Sequence, residues 1–206
     1  MGSASRGHRV RGVRLPLGRE GARGWRQNGC HDPSRRPEDA PALHRLAAAT
    51  FPLACPPELT ADDQRAFIDA HLSEASFLSY LADTHRVVLV DEIDDALVGY
   101  TMLVLGPPTD ADVRLALDEE DARPIAELSK CYVLPTAHGS GVAHRLLDAT
   151  IEIAAASGAE RMWLGVNHAN VRAQRFYQKH GFHAVGTKRF LVGARLEHDF
   201  VLAREL

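Results

Sequence analysis

The stretch Leu134-Pro135-Thr136-Ala137-His138-Gly139-Ser140-Gly141-Val142-Ala143 carries the clearest chemical signal in the chain. A β-rich run precedes it and an amphipathic run follows, so it sits where a strand gives way to a helix. The first turn of a helix has backbone N–H groups without acceptors, and the helix dipole adds partial positive charge there. Together these make an anion site. Gly139 and Gly141 let bare backbone approach a pyrophosphate closely, and Ser140 offers a hydroxyl donor. A plain strand-to-helix turn that uses glycine for steric reasons would read the same way. The segment is not a Walker loop, since no Gly-Lys-Ser/Thr occurs, and it is not the GxGxxG dinucleotide fingerprint.

Other chemistries find little support. Cys30, Cys55 and Cys131 are few, odd in number and widely spaced. They argue against a disulfide framework, and no CxxC or His/Cys cluster suggests zinc, so no metal is expected. No apolar run approaches the ~18 residues of a membrane span, and Met1 to Arg36 contains no apolar signal core. A cytoplasmic protein with no membrane partner is expected. The net charge of -3 hides an asymmetry: residues 1–37 carry nine Arg against Glu20 and Asp32, leaving the remainder at -10. Ten carboxylates fall in 91–121 with only Arg114 opposing them. That stretch reads as a solvated surface or as a field that concentrates cationic substrates near a cleft.

The elements that must position the glycine loop follow from periodicity. Residues 1–36 are Arg/Gly-rich without a helical or strand period and are expected to be a disordered tail. They lack the aromatic interleaving of a nucleic-acid arm, so no nucleic-acid partner is expected. A domain over 37–206 begins with a helix whose face carries Leu43, Leu46, Ala47 and Phe51, ended by Pro52 and the Cys55-Pro56-Pro57 turn. Thr60 caps a second helix bearing Phe67, Ile68 and Leu72, and Ser73 to Ala82 forms a third. Arg86–Asp91 and Ala96–Leu105 are strands joined by a hairpin at 92–95. Residues 106–124 form a long acidic connection and candidate binding loop. Ile125–Leu134 is a strand, Gly139–Ser157 an amphipathic helix, Arg161–Asn167 a strand and Ala169–His180 a helix. Phe182–Val192 and Leu196–Arg204 close the chain as an antiparallel pair. This order predicts an α+β domain with one βαβ crossover on a mostly antiparallel sheet flanked by helices.

The loop, read as His138-Gly139-Ser140-Gly141-Val142-Ala143, resembles the acyl-CoA pyrophosphate loop of the GNAT acetyltransferase superfamily, Q/R-x-x-G-x-G/A, with His138 in place of Gln or Arg. Asn170 to Phe182 is similar to the second signature, N-x-x-A-x-x-F-Y-x-x-x-G-F. The resemblance implies a GNAT-like sheet with splayed central strands and acetyl-CoA as cosubstrate. It implies that Cys131, Tyr132 and Val133 offer backbone groups to the pantetheine arm, that Asn170 contacts it, and that Tyr177 protonates the departing thiolate. A thiol with pKa ~8.5 and a tyrosine with pKa ~10 need only local help for that transfer.

For the base that deprotonates the amine, Glu127 is the best-placed carboxylate. Relatives carry a glutamate where this chain has Ser129, and strand alternation turns Glu127 and Ser129 the same way. Thr50-Phe51-Pro52, Met162 to Val166, and Phe190 to Gly193 with His198-Asp199-Phe200 are similar to the bacterial spermidine/spermine acetyltransferase subgroup. Trp163 and Gly165 read more readily as packing residues than as catalytic ones. The resemblance implies N-acetylation of a small primary amine, such as a polyamine, with a homodimer left open. The rival readings are a protein amine or antibiotic as acceptor, and a non-catalytic acyl-CoA-binding module.

Overall fold

Strands β2 (Arg86–Ile93) and β3 (Ala96–Leu105) form a hairpin around Asp94 and Asp95, both with positive φ, as a two-residue turn between twisted strands requires. The computed structural model describes residues 8–11, 36–118, 120–192 and 195–206. β2 and β3 are apolar on both faces because helices cover both sides. Gly99, Thr101 and Leu103 face α5 (Val142–Ala156), where the Thr101 and Thr150 hydroxyls hydrogen-bond at 2.7 Å. Tyr100 and Met102 face α1 (Ala40–Ala54) and α3 (Glu74–Ala82), and Tyr100 meets the Phe77 ring edge-on at 5.6 Å. Burying each such side chain contributes roughly 1.5–3 kcal/mol. At Gly99 a Cβ would lie 3.0 Å from Val133, Val142 and Leu146, so the missing side chain lets α5 seat its first turn against the sheet.

The sheet has seven strands in the order β1-β2-β3-β4-β5-β7-β6. Here β1 is His8–Arg11, β4 Ile125–Val133, β5 Arg161–Asn167, β6 His183–Val192 and β7 Arg195–Glu205. All neighbours are antiparallel except β4 and β5, which the α5 crossover makes parallel. α2 (Ala61–His71) and α6 (Val171–Lys179) complete the longer helices. The α+β class and the mostly antiparallel, helix-flanked sheet agree with the sequence expectation.

Three details differ from it. Pro52 lies inside the last turn of helix α1, which ends at Ala54, so the Cys55-Pro56-Pro57 turn rather than Pro52 stops it. The connection 106–124 is no open loop: Asp110 caps a short α4 (Ala111–Ala116), and Val113 and Leu117 bury themselves against Trp163, Val201 and Ala203. In the segment read as a tail, His8–Arg11 pairs with β2; the other residues of 1–35, like Glu119 and Gly193, lie outside the described residues.

The α5 start is anchored to strand β2 on the sheet face that it covers. Arg145 donates from Nε and Nη2 to the fully buried Asp91 carboxylate at 3.1 and 2.8 Å, and from Nη1 to the Ser140 carbonyl at 3.1 Å. Withdrawing one partner from a buried ion pair costs far more than an exposed pair is worth. Arg145→Met is expected to lower unfolding free energy by about 2–4 kcal/mol in urea titration. An unchanged midpoint would show that the pair does not hold the loop.

Candidate active site

β4 pairs with β3 along its whole length but with β5 over only three residues, Ile125↔Arg161, Ala126↔Met162 and Glu127↔Trp163. Beyond Glu127 the two strands part. The sides of 128–133 and 164–167 that face each other therefore have no ladder partner across the gap. A β-bulge accompanies the parting: Leu128 pairs with Leu103 and Lys130 with Met102, so Ser129 has no partner in the register. This corrects the expectation from strand alternation. The register puts Glu127 and Lys130 on one face, opposite Val104 and Met102, and Ser129 is the inserted residue.

At the open end of β4 the chain makes a 3-10 turn (Pro135–Ala137) and enters α5 through Gly139 and Gly141, with φ of 79° and 81°. L-residues with side chains are strained in that region, which is why glycine stands at both positions. The reason is torsional: nothing lies within 4 Å of a Cβ built on Gly139, and only Arg145 Nη1 approaches one on Gly141, at 3.2 Å. No side chain caps the helix. The N–H groups of Val142, Ala143 and His144 thus lack intrahelical acceptors and emerge beside the gap between β4 and β5.

Two side chains of the loop are already engaged. The Ser140 hydroxyl donates to the Ala137 carbonyl at 2.6 Å, and the His138 ring lies 3.1 Å from the Val133 carbonyl through Nε2. The anion site is consequently a main-chain one. His138 tethers the loop to the end of β4 rather than reaching outward.

Tyr177 stands on α6 with its ring against Phe176 and Phe182. Its hydroxyl lies beside the Cys131 thiol on β4. Burial first, and then the Cys131 and Tyr132 charges, hold its pKa well above the ordinary value, so the group is a neutral O–H donor at neutral pH. Burial likewise pushes the Cys131 thiol up to about 11, which makes it a poor nucleophile. Tyr132 stacks on Tyr100 with centroids 5.7 Å apart, whereas Val133 faces α5. Asn170 uses Oδ1 to accept from the Ala173 N–H at 3.0 Å, capping α6.

The face opposite α5 carries the charges. Glu127 lies beside Lys130, whose ammonium sits 5.2 Å from the Tyr80 ring centroid and whose pKa falls to about 8, mainly through burial and despite Glu127. Sequence reasoning missed Lys130, Arg145 and two buried acids on β7, Glu197 and Asp199. Only buried charge in otherwise alternating strands hinted at them. Four carboxylates of the acidic segment are committed elsewhere: Asp91 pairs with Arg145, Asp112 with Arg189, Asp121 with Arg123 and Arg161, and Asp110 caps α4. Among the described residues no group of three His, Cys, Asp or Glu side chains is arranged to hold a metal ion. No described helix is long and apolar enough to cross a membrane.

This geometry agrees with comparisons to known proteins. The model of the Acetyltransferase (GNAT) family matches residues 41–182. The chain belongs to the GNAT acetyltransferase family. Named N-acetyltransferases of Mycobacterium tuberculosis and Mycobacterium bovis are 46% identical to it over 168 residues, 82% of this chain and 98% of each relative. Among solved structures, the PaiA N-acetyltransferase of Thermoplasma acidophilum, in complex with coenzyme A, superimposes with a TM-score of 0.64 at 18% identity, over 82% of this chain and 94% of that one. A GCN5-related N-acetyltransferase of Rhodopseudomonas palustris gives a TM-score of 0.59 at 20% identity, over 100% and 99%. These two likenesses show the GNAT fold. The protein is an acetyl-CoA-dependent N-acetyltransferase, and the uncapped start of α5 beside the parted strands fits its cosubstrate.

Gly141 and Gly158 flank α5 with nearly equal φ, 81° and 86°, so replacing either strains the backbone alike. Gly141→Val is expected to weaken coenzyme A binding at least about tenfold by calorimetry, while Gly158→Ala lowers stability by about 1 kcal/mol and leaves binding unchanged. Equal affinity in both variants would remove the loop from the cofactor site.

Proposed function

We propose that the enzyme transfers acetyl from acetyl-CoA directly to a primary amine of a small molecule in a ternary complex, with a polyamine as the first acceptor to test. The observation that carries this reading is the three-residue limit on β4–β5 pairing, which leaves a gap opening at the uncapped end of α5. The resemblance of Met162 to Val166 and His198 to Phe200 to the spermidine/spermine acetyltransferase subgroup supports the choice of acceptor. So does the presence of Glu127, Glu197 and Asp199 on the sheet face away from α5.

In this reading the main-chain N–H groups of Gly139, Gly141, Val142 and Ala143 hold the pyrophosphate, while those of His138 and Ser140 donate to the Pro135 and Ala137 carbonyls and shape the loop. Backbone groups of Cys131, Tyr132 and Val133 align the pantetheine arm and polarise the carbonyl. The Asn170 Oδ1 is taken by the helix cap, which leaves its NH2 as donor to the arm. Acetyl-CoA supplies an acetyl group activated as a thioester. Glu127, directly or through a water, takes a proton from the acceptor nitrogen so that its lone pair is free. The Tyr177 O–H, enclosed at Cys131, donates toward the position of the leaving sulfur. With its pKa raised, its main contribution is a hydrogen bond to developing negative charge, with the proton following as that charge matures.

Tyr177→Phe is expected to lower kcat about 10²–10⁴-fold while coenzyme A affinity stays within about twofold. Turnover at the wild-type rate would exclude it from the mechanism. Glu127→Gln is expected to lower kcat by about 10²-fold or more, with the loss shrinking as pH rises and the amine deprotonates in solution. A pH-independent rate equal to that of the wild type would assign the base elsewhere. If the protein binds acetyl-CoA yet releases no thiol with any amine, it is a binding module.

A further inference from the structure

Asp199 is 8% exposed, and its Oδ1 has no hydrogen-bond partner. A carboxylate oxygen buried without a donor is costly, and folding alone gives no reason to keep one there. Its surroundings say what the group faces. On β7, Glu197, Asp199, Val201 and Ala203 share one side of the strand; Val201 and Ala203 pack against Trp163, the register partner of Glu127. The two acids therefore lie on the sheet face that carries Glu127, away from α5. Asp199 pairs in register with Asn167 of β5, beyond the point where β5 leaves β4.

The side chains lean over that opening. A Cβ on Gly165 would lie 3.1 Å from Asp199 Oδ2 and 3.0 Å from Lys188 Nζ, so the bare glycine leaves room for both above β5. Across the gap, burial raises the pKa of the Tyr132 hydroxyl, and the Asp199 charge adds to the rise. At the C-terminal end of α1, burial and then Glu197 push the Cys55 thiol up to about 11. The two carboxylates thus act on β4 and on the end of α1, the elements that border the opening. Lys188 stands near Oδ2 over Gly165, and Oδ1 is the buried atom without a hydrogen-bond partner.

We infer that Asp199 receives the primary ammonium of the acceptor through Oδ1 at the mouth of the β4–β5 opening. The inference rests on the amine-acetylation reading and names the group that recognises the amine. The charges that act on Asp199 include Lys188 on β6, Glu197 on β7 and His168 after β5, and the polar Tyr132 lies across the gap on β4. Burial, outweighing Lys188, raises the Asp199 carboxyl to about 6. An ion pair serving only structure would show the opposite shift; here the missing partner is a cation that arrives from solution.

The test is steady-state kinetics of the full chain with acetyl-CoA and a panel of n-alkylamines and α,ω-diamines, for wild type and Asp199→Asn. Asp199→Asn is expected to raise the KM for every accepted amine roughly 10- to 100-fold, with coenzyme A affinity unchanged by calorimetry. Its melting temperature should not fall, because the neutral isostere relieves the buried charge. An unchanged amine KM in Asp199→Asn overturns the inference. A lower melting temperature with parallel loss of coenzyme A affinity also overturns it, since that is the mark of a structural residue. A wild-type enzyme that binds coenzyme A but acetylates no amine would instead sink the proposed function on which the inference stands.

Discussion

A strand in the middle of a sheet normally satisfies its backbone on both edges, and β4 does so on only one. Its antiparallel ladder to β3 is continuous apart from the bulge at Ser129, whereas its parallel ladder to β5 stops after Glu127. Unpaired peptide groups inside a fold are tolerated where a ligand or water meets them. Everything that marks this protein as an acyltransferase gathers around that departure. The uncapped start of α5 lies at its open end, Tyr177 reaches Cys131 from α6, and carboxylates face it from the other side of the sheet.

Holding the gap open requires rigid neighbours on each side. On the β3 side, α5 is drawn down by close packing at Gly99, by the Thr101–Thr150 hydroxyl pair and by the Arg145–Asp91 ion pair. These three contacts differ in kind, and all act on the first three turns of one helix. On the β5 side, strand β7 pairs with β5 along its full length, and α4 covers Trp163 and Val201. The acidic connection 106–124 thus serves mainly to cap the outer half of the sheet. Its Asp112 is tied to Arg189 and its Asp121 to Arg123 and Arg161, and Asp110 caps α4.

Burial also sorts the titratable groups by role. It keeps Tyr177 and Tyr132 protonated, makes Cys131 inert, and lowers Lys130 to about 8. On the face away from α5 it raises Asp199 to about 6, where the carboxylate is still mostly ionised at neutral pH. The gap therefore meets a neutral hydroxyl from Tyr177 on α6, and carboxylates on the face away from α5. A hydroxyl donor suits a thioester sulfur and a carboxylate suits an ammonium.

The amino-acid sequence by itself determined the order of elements and the pyrophosphate loop, because both rest on local rules. Apolar spacing separates strand from helix, and glycine is favoured where φ is positive, as at Gly139 and Gly141. The short α4 escaped because packing, at Val113 and Leu117, overrode the flanking prolines. Tertiary structure alone decided where β4 abandons β5 and that Ser129 is an inserted residue. It also decided that His138 and Ser140 turn back on their own loop. Asp199 and Glu197 join the acceptor side through a strand more than sixty residues away from β4 in sequence, a distance over which no spacing rule operates. A carboxylate acquires its meaning from what surrounds it, and only the assembled sheet supplies that.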